Sequence, residues 1–492
     1  MKTILVWYRN DLRVSDHAPL SAALAEGAQV VPVYCFDPRH FGTTAFGFKK
    51  TGAFRAQFLL ESLADLRHEL RARGSDLVVR MGLPEVVLPQ LAREMNASAV
   101  FGHQEIGTEE RAVETALASA LKQDGIKLVS YWGHTLHHIH DVPFAIGDLP
   151  EVFTQFRVAV EKHVKPIRLP LPAPSRIPSP KLEPGELPAL ADLGFNLQSP
   201  VSHVFIGGET KAHARLKHYI WDADRLRVYK ETRNGMLSVD DSSKFSPWLA
   251  HGCISPREIY AEVQRYERER VKNDSTYWLV FELLWRDYFR FIALKHGAKL
   301  FCQSGLQGVR MPWQQDAVAF ERWRTGQTGF PLVDANMREL LATGFMSNRG
   351  RQNVGSFLTK NLGLDWRMGA EWFESQLVDY DVCSNYGNWN YVAGVGNDAR
   401  GFRFFNIFKQ SEDYDKDGSY VKHWLPELRH VPAAKVHRPD LLSEIEQQRF
   451  GVRIGSDYPE MMVDLFESAK QNEAIFNAAL KRSSKPSLKN VR

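Results

Sequence analysis

The hydrophobic pattern changes once along this chain, and that change limits the possible folds more than any other feature. Over the first 150 residues, short β-branched runs alternate with amphipathic segments; the runs are ILVWY at 4–8, VVPVYCF at 30–36, LVVR at 77–80, SAVFG at 98–102 and KLVSYW at 127–132. This alternation is typical of βαβ units, which build a parallel sheet covered by helices on both faces. The sequence therefore predicts an α/β, doubly wound N-terminal domain, with any ligand bound beyond the carboxyl ends of its strands.

A proline-rich stretch separates that region from the rest. Nine prolines lie between Lys165 and Pro200, and a segment so rich in proline is extended. Beyond it the pattern is helical almost throughout, as in TYWLVFELLWRDYFRFIALKHG, which Asp274 and Ser275 precede and Gly297 ends. We expect an α/β domain over 1–140, an extended linker over 141–200, a large all-helical domain over 201–470 and a mobile basic tail over 471–492.

Composition excludes several classes of protein. The 492 residues are 44% hydrophobic and 24% charged, as in a globular protein. No apolar run approaches the roughly 18 residues of a membrane span, and the start MKTILVWYRNDLR is too short for a signal segment, so we expect a cytoplasmic protein. The formal net charge is only +4, so nucleic-acid binding would need a local basic patch.

Metal binding is not expected. The four cysteines form no CxxC pair, which excludes a disulfide framework and a cysteine metal cage. The cluster His134, His137, His138 and His140 has neither a cysteine nor an HExxH register beside it. We interpret these four as partly exposed loop histidines and predict no metal site.

Tryptophan is placed unevenly. Ten of the 12 tryptophans follow residue 200. In the segment 275–296, Trp278, Glu282, Trp285, Arg286 and Phe289 recur at spacings of three and four, so they share one helix face. This face either lines a pocket in which aromatic rings stack on nucleobases and the charged groups bind their polar edges, or it carries an ordinary i,i+4 ion pair of Glu282 and Arg286 at a helix border.

Three further segments hold polar residues in apolar surroundings. In DSSKFSPWLAHGCISP, at 241–256, the serines and lysine suit a diphosphate at a helix N-terminus, although a capped turn is an equal alternative. In 334–356, Arg349 and Arg351 lie in a glycine-bounded turn that suits phosphates or is merely solvated. In 377–406, Asp379, Asp381 and Asn385 suit a heteroaromatic ligand or cap a helix.

Together with VWYRNDLRVSDHAPL, ELLWRDYFR, PLVDANMREL, GFMSNRGRQNVGSFL and DYDVCSNYGNWNYVAGVGNDAR, these segments resemble the photolyase/cryptochrome family from about residue 3 to 430. The motifs DVCSNYGNWNY and SNRGRQNV are most similar to its cryptochrome DASH branch. The resemblance implies an α/β antenna domain, a helical domain that holds a folded FAD, and blue-light chemistry.

The resemblance also implies individual roles around the FAD. One set of residues matches positions that hold the phosphates and ribityl chain: Tyr229, Ser242, Ser243, Lys244, Phe245 and Ser246. A second set matches positions that face the isoalloxazine: Asp379, Asp381 and Asn385, the last at the N5 edge. Arg349 matches the partner of Asp379. Three indoles match an electron relay from flavin to surface: Trp389, Trp366 and Trp313.

A further set matches the positions that receive a flipped-out pyrimidine dimer and its phosphates: Glu282, Trp285, Arg286 and Arg351. Duplex-repairing photolyases usually have a second tryptophan where this chain has Tyr391. A smaller stacking surface weakens capture of a base that must first be unstacked, so the substitution favours single-stranded DNA.

The antenna implied by the resemblance is 5,10-methenyltetrahydrofolate, with Glu105 as the acid that hydrogen-bonds its pterin ring; other members of the family use a deazaflavin or none. The implied function is blue-light-dependent repair of cyclobutane pyrimidine dimers by electron transfer from reduced FAD, by a monomer acting mainly on single-stranded DNA. The alternative is a blue-light photoreceptor without significant repair.

Overall fold

The computed structural model describes residues 2–163, 165–181, 183–196, 205–397 and 401–483. Two compact units make up the chain. The first contains Met1–Glu231, Ser243–Gly297 and Val378–Ser384, and the second contains Thr232–Ser242, Ala298–Leu377 and Asn385–Arg492. The first unit therefore includes segments that the sequence analysis assigned to the helical domain, and the domain boundaries drawn there stay a prediction.

A five-stranded parallel sheet forms the centre of the first unit, and it confirms the predicted doubly wound fold. Its strands are β1 (Thr3–Tyr8), β2 (Gln29–Phe36), β3 (Val78–Met81), β4 (Ala97–His103) and β5 (Lys127–Tyr131), in the order β3-β2-β1-β4-β5. Leu5 pairs with Val31 on one side and with Val100 on the other. Every residue of β1 is buried, because successive side chains point to opposite faces and helices cover both.

Helices account for most of the remaining chain. In order they are α1 (Ala18–Ala25), α2 (Ala53–Arg71), α3 (Pro84–Glu94), α4 (Thr108–Gln123), α5 (Phe153–His163), α6 (Glu209–Lys217), α7 (Tyr229–Thr232), α8 (Ser246–Ala250), α9 (Pro256–Glu269), α10 (Asp274–His296), α11 (Ala317–Arg324), α12 (Pro331–Thr343), α13 (Asn348–Ser356), α14 (Trp366–Gln376), α15 (Val382–Ala393), α16 (Ile407–Tyr414), α17 (Ser419–Trp424), α18 (Ala433–Val436), α19 (Glu444–Phe450) and α20 (Leu465–Ser483). Among the residues described, no helix combines the length and apolar character that crossing a membrane requires.

The linker predicted over 141–200 is extended only in part, because α5 lies inside it. Phe153, Phe156 and Val160 are buried along one side of that helix, a helical spacing that the prolines further along obscured. At two of its prolines the linker bonds to strand β2 and to strand β3. The backbone amide of Val30 donates to the Pro178 carbonyl at 2.7 Å, and that of Val79 donates to the Pro184 carbonyl at 2.7 Å.

The tail predicted over 471–492 is helical as far as Ser483, where α20 ends. Phe476 and Ala479 are buried on the inner side of α20, so apolar spacing decides the structure there despite the basic residues. The remaining residues of the predicted tail, 484–492, lie outside the described residues.

The histidine-rich segment after β5 agrees only in part with the partly exposed loop that we predicted: His138 is half-buried and His140 is exposed, but His134 and His137 are buried. The segment docks on α10. The Asp287 carboxylate, fully buried, accepts hydrogen bonds from the backbone amides of Leu136 and His137, both at 2.8 Å. The Trp132 ring stacks on Phe291, with centroids 5.8 Å apart.

Replacing Asp287 by alanine should destabilise the protein. Two buried backbone amides would lose their acceptor, and each such loss costs about 1–3 kcal/mol, so we expect the free energy of unfolding to fall by roughly 2–6 kcal/mol. Urea unfolding followed by tryptophan fluorescence measures this. The matched control is Asp274→Ala, whose side chain is 80% exposed and which should change stability by less than about 0.5 kcal/mol. Equal stability of the two variants would contradict the role given to Asp287.

Candidate functional site

Helix α10 carries a carboxylate and an indole one turn apart, Glu282 and Trp285, and both are half-buried. The helix begins after Asn273, whose side chain accepts from the amides of Ser275 and Thr276; this cap lies one residue before the Asp274-Ser275 pair that precedes the predicted helical segment. One face of the Trp285 ring stacks on Phe153 at 3.6 Å between centroids. Glu282 and Trp285 therefore project from a rigid, well-packed helix.

Arg286 bonds to the backbone of its own unit. Its guanidinium donates to the carbonyl of His134 and, at 3.1 Å, to that of Leu249. Burial lowers the pKa of Arg286 to about 10. These two bonds give Arg286 a positioning role within the first unit, and its contact with DNA stays a prediction.

Arg290, one turn further along α10, forms a buried ion pair with Asp381. Asp381 also accepts from the backbone amide of Ser384 at 2.8 Å, so it caps α15 as the alternative reading of this segment predicted. Burial by itself raises the pKa of the Asp381 carboxyl, but the guanidinium groups of Arg290 and Arg286 outweigh burial and hold the pKa below its ordinary value. Asp381 is thus a carboxylate in a dry environment.

The serine-rich loop lies in the first unit from Ser243 onwards. Lys244 is buried, and its backbone φ is 51°, a value that residues other than glycine rarely adopt. The Arg215 guanidinium donates to the Ser243 carbonyl at 3.0 Å and fixes the loop. Helix α8, which follows, has only five residues and no side-chain cap at Phe245, so the loop residues themselves carry any phosphate site here. Tyr229, at the start of α7, is buried.

In the second unit, the two arginines of the SNRGRQNV motif lie in the first turn of α13, so the glycine-bounded turn that we predicted is the start of a helix. Ser347 starts this helix by accepting from the Gly350 amide at 3.1 Å. Arg349 donates to Gln352 at 3.0 Å and to Asn234 at 3.3 Å. The Arg351 guanidinium donates from Nε to the Met346 carbonyl at 2.9 Å.

Helix α15 presents the predicted flavin-facing amide and the first indole of the relay. Asn385 is buried, and its side-chain nitrogen donates to the Ala370 carbonyl at 3.0 Å. Trp389, one turn later, is buried against Phe373 at 5.1 Å and Trp323 at 6.4 Å between ring centroids. Tyr391 on the same helix is half-buried.

The other two relay indoles belong to the same unit. Trp366 is fully buried, donates to the Gln303 carbonyl at 3.0 Å and packs edge-on against Tyr386 at 6.1 Å. Trp313 is half-buried. The order of electron transfer through Trp389, Trp366 and Trp313 stays a prediction, as does the pairing of Arg349 with Asp379.

The donors in each unit fit FAD. Among the described residues, the Nε–H groups of Arg290 and Arg349 are buried without a hydrogen-bond partner, and such groups require an acceptor from elsewhere. Flavin carbonyls and diphosphate oxygens are acceptors of this kind. The serine hydroxyls and Lys244 add the donors that a diphosphate needs.

Glu105 follows β4 at the carboxyl edge of the sheet. It is 4% exposed and accepts from the Asn10 side chain at 3.1 Å, and His134 Nε2 lies 3.5 Å from the same carboxylate oxygen. Burial raises the pKa of Glu105 to about 7, although Arg9 and Arg290 oppose the shift. This carboxyl therefore changes protonation near neutral pH.

Arg290 and Asp287 are the residues of this region that sequence reasoning missed. Both are charged, and both lie in the most apolar stretch of α10, which is buried at those positions. A charged side chain on a buried helix face needs a partner. The sequence therefore indicated that Asp287 and Arg290 make polar contacts, but it did not identify their partners.

Comparison with known proteins agrees with this arrangement. Residues 4–176 match the family model "DNA photolyase", and residues 278–478 match the model "FAD binding domain of DNA photolyase". A cryptochrome DASH from Gloeobacter violaceus is 63% identical over 484 residues, which are 97% of this chain and 96% of that protein.

Solved structures agree as well. The crystal structure of a Synechocystis sp. PCC6803 cryptochrome matches with a TM-score of 0.94 and 56% identity, covering 96% of this chain and 99% of that one. A class III photolyase from Agrobacterium tumefaciens matches with a TM-score of 0.87 and 31% identity, covering 98% of both chains. This chain, with its photolyase-type FAD-binding domain, therefore belongs to the photolyase/cryptochrome family and to its cryptochrome DASH branch.

Proposed function

We propose that this protein is a blue-light-dependent enzyme of the deoxyribodipyrimidine photolyase type that repairs cyclobutane pyrimidine dimers in single-stranded or loosened DNA. The observation that carries the proposal is the pairing of Glu282 and Trp285 on α10, half-buried and one turn apart. Asp287 and Arg290 fix the other side of that helix in the interior. A carboxylic acid and an indole held in this way suit a flat, polar-edged base that has left its stack.

Bound FAD supplies light-driven electron transfer. The protein's own part is to bind and orient the lesion: the protonated carboxyl of Glu282 donates a hydrogen bond to a carbonyl of the dimer where negative charge develops, and Trp285 stacks on the pyrimidine ring. Arg351 orients the strand. Arg286 acts one step away, because it holds the backbone at His134 and Leu249 and so fixes the helix that carries Glu282 and Trp285.

Tyr391 supports the preference for single strands. Extruding a base from a duplex costs a few kcal/mol, because the base must be unpaired and unstacked. In single-stranded DNA this cost is smaller, since the base is already unpaired. A phenol offers less stacking area than an indole, so this half-buried position recovers less of that cost. We infer that the protein acts as a monomer on strands that are already open.

Purified protein should restore thymines in dimer-containing oligonucleotides under blue light, faster on single strands than on duplexes. Glu282→Ala should lower the repair rate at least about tenfold, since a hydrogen bond to a charged transition state contributes 1.5–3 kcal/mol, while FAD stays bound. The control is Glu269→Ala, an exposed acid paired with Arg265. Absence of turnover on either substrate would favour a photoreceptor, and wild-type repair by Glu282→Ala would remove Glu282 from the mechanism.

The buried indoles of the second unit suit photoreduction in either role. Trp389→Phe should slow reduction of bound FAD by light and an external thiol at least about tenfold, because phenylalanine is much harder to oxidise than tryptophan. Repair by chemically reduced protein should stay near the parent rate. Trp424→Phe, at the half-buried end of α17, is the matched control. Equal photoreduction in Trp389→Phe and Trp424→Phe would reject Trp389 as the first donor.

For the antenna we propose 5,10-methenyltetrahydrofolate at Glu105, with the ionised carboxylate accepting from N–H groups of the pterin. Because the pKa of Glu105 is raised to about 7, protonation should weaken binding as the pH falls. Affinity at pH 8 should exceed affinity at pH 6 about tenfold, measured by fluorescence titration. Glu105→Gln should bind weakly and lose this pH dependence, and the exposed control Glu109→Gln should retain it. A pH-independent affinity in the parent protein would contradict the assignment.

A further inference from the structure

A buried lysine meets the end of the helix that carries the flavin-facing amide. Lys360 is 1% exposed and lies in the π-helical turn Phe357–Asn361, which follows α13. Its ammonium donates to the carbonyl of Ala393 at 2.7 Å. It also lies over the rings of Phe402, at 4.6 Å, and Phe476, at 4.9 Å.

These contacts suit the end of a helix. Ala393 is the last residue of α15, and the final carbonyls of a helix lack partners within it and carry partial negative charge. A buried ammonium is costly unless it is hydrogen-bonded and electrostatically compensated. The carbonyl and the faces of two aromatic rings contribute to both needs, so Lys360 and the end of α15 stabilise each other.

Helix α20 holds the lysine's own turn in place. The Asn472 side chain donates to the carbonyls of Lys360, at 3.1 Å, and Asn361, at 3.0 Å. In return, Asn361 donates from its side chain to the Leu465 carbonyl at 2.7 Å. The backbone that carries the Lys360 side chain is therefore held in place by α20.

The residue after Ala393 has no room for a side chain beside the ammonium. Gly394 has a φ of +79°, and a Cβ there would lie 2.9 Å from Lys360 Nζ and 3.2 Å from the Phe476 ring. Within the same turn, Asn390 donates to the Leu300 carbonyl at 2.8 Å and accepts from the Leu306 amide at 3.2 Å. The last turn of α15 is thus held by Asn390 as well as by Lys360.

We propose that Lys360 is a positioning residue that fixes where α15 ends and so keeps Trp389 and Asn385 in register with the flavin. Trp389 lies one turn before Ala393, about 6 Å along the helix axis, and Asn385 lies a further turn back. A loosened end would let the helix fray toward both. The consequence for photoreduction rests on the proposed function, whereas the consequence for the helix does not.

Hydrogen–deuterium exchange on the FAD-loaded protein tests the proposal. Lys360→Met keeps the length and apolar stem but removes the ammonium, and amides over 389–396 should exchange about tenfold faster, as loss of a charged hydrogen bond predicts. Lys360→Arg should restore part of the protection. The control is Lys409→Met, which removes a 67% exposed lysine of the same unit. Unchanged exchange over 389–396 in Lys360→Met, or a rise spread evenly over the second unit, would overturn the proposal.

Photoreduction gives a second measurement. In Lys360→Met the rate under light and thiol should fall severalfold and FAD should dissociate faster, with partial recovery in Lys360→Arg. If the parent protein neither photoreduces nor repairs DNA, the proposed function fails while the exchange result still decides the role of Lys360. Should Lys360→Met not fold, Phe476→Leu takes its place, because it removes one ring from the ammonium and should raise exchange at the same amides to a smaller degree.

Discussion

The backbone amides of Leu136 and His137 donate to the Asp287 carboxylate, and these two hydrogen bonds fix helix α10 against the loop after β5. A carboxylate with no solvent exposure is tolerated only where donors satisfy it, so the loop after β5 and helix α10 must meet at this place. Once they meet, Arg286 reaches the His134 carbonyl and Arg290 reaches Asp381. The position of Glu282 and Trp285 follows from these buried contacts on the same helix.

Burial acts on two carboxyl groups of the first unit with opposite results. It raises the pKa of Glu105 to about 7, because the nearby guanidinium groups do not outweigh the loss of water. At Asp381 the same burial is outweighed by Arg290 and Arg286, and the pKa is lowered. Near neutral pH one group can exchange a proton while the other keeps its charge. Opposed environments of this kind are how proteins give similar side chains different tasks.

Helix ends organise the second unit. Ser347 begins α13 and so determines which way Arg349 and Arg351 point. Lys360 meets the end of α15, and α20 supports Lys360 through Asn472. Side chains that project from helices fixed at their ends keep their geometry better than side chains on loops, and a flavin site needs such precision for electron transfer.

The sequence by itself determined the parallel sheet, because short continuous β-branched runs that alternate with amphipathic helical segments fit few other folds. It also determined the family, because motifs such as DVCSNYGNWNY are long and specific. Within that, it offered helix capping as one of two readings of Asp381, and the cap is observed; a local pattern can predict it because a cap depends on residues only three positions apart.

Tertiary structure alone decided the partners of the buried charges. Arg286 and His134 are 152 positions apart in the chain, and Lys360 and Ala393 are 33 apart; no local pattern encodes such pairs. For the same reason the sequence did not show that His134 and His137 are buried, and it predicted a mobile tail where α20 continues to Ser483. Sequence specifies which groups must be satisfied, and only the folded chain brings each one to the partner that satisfies it.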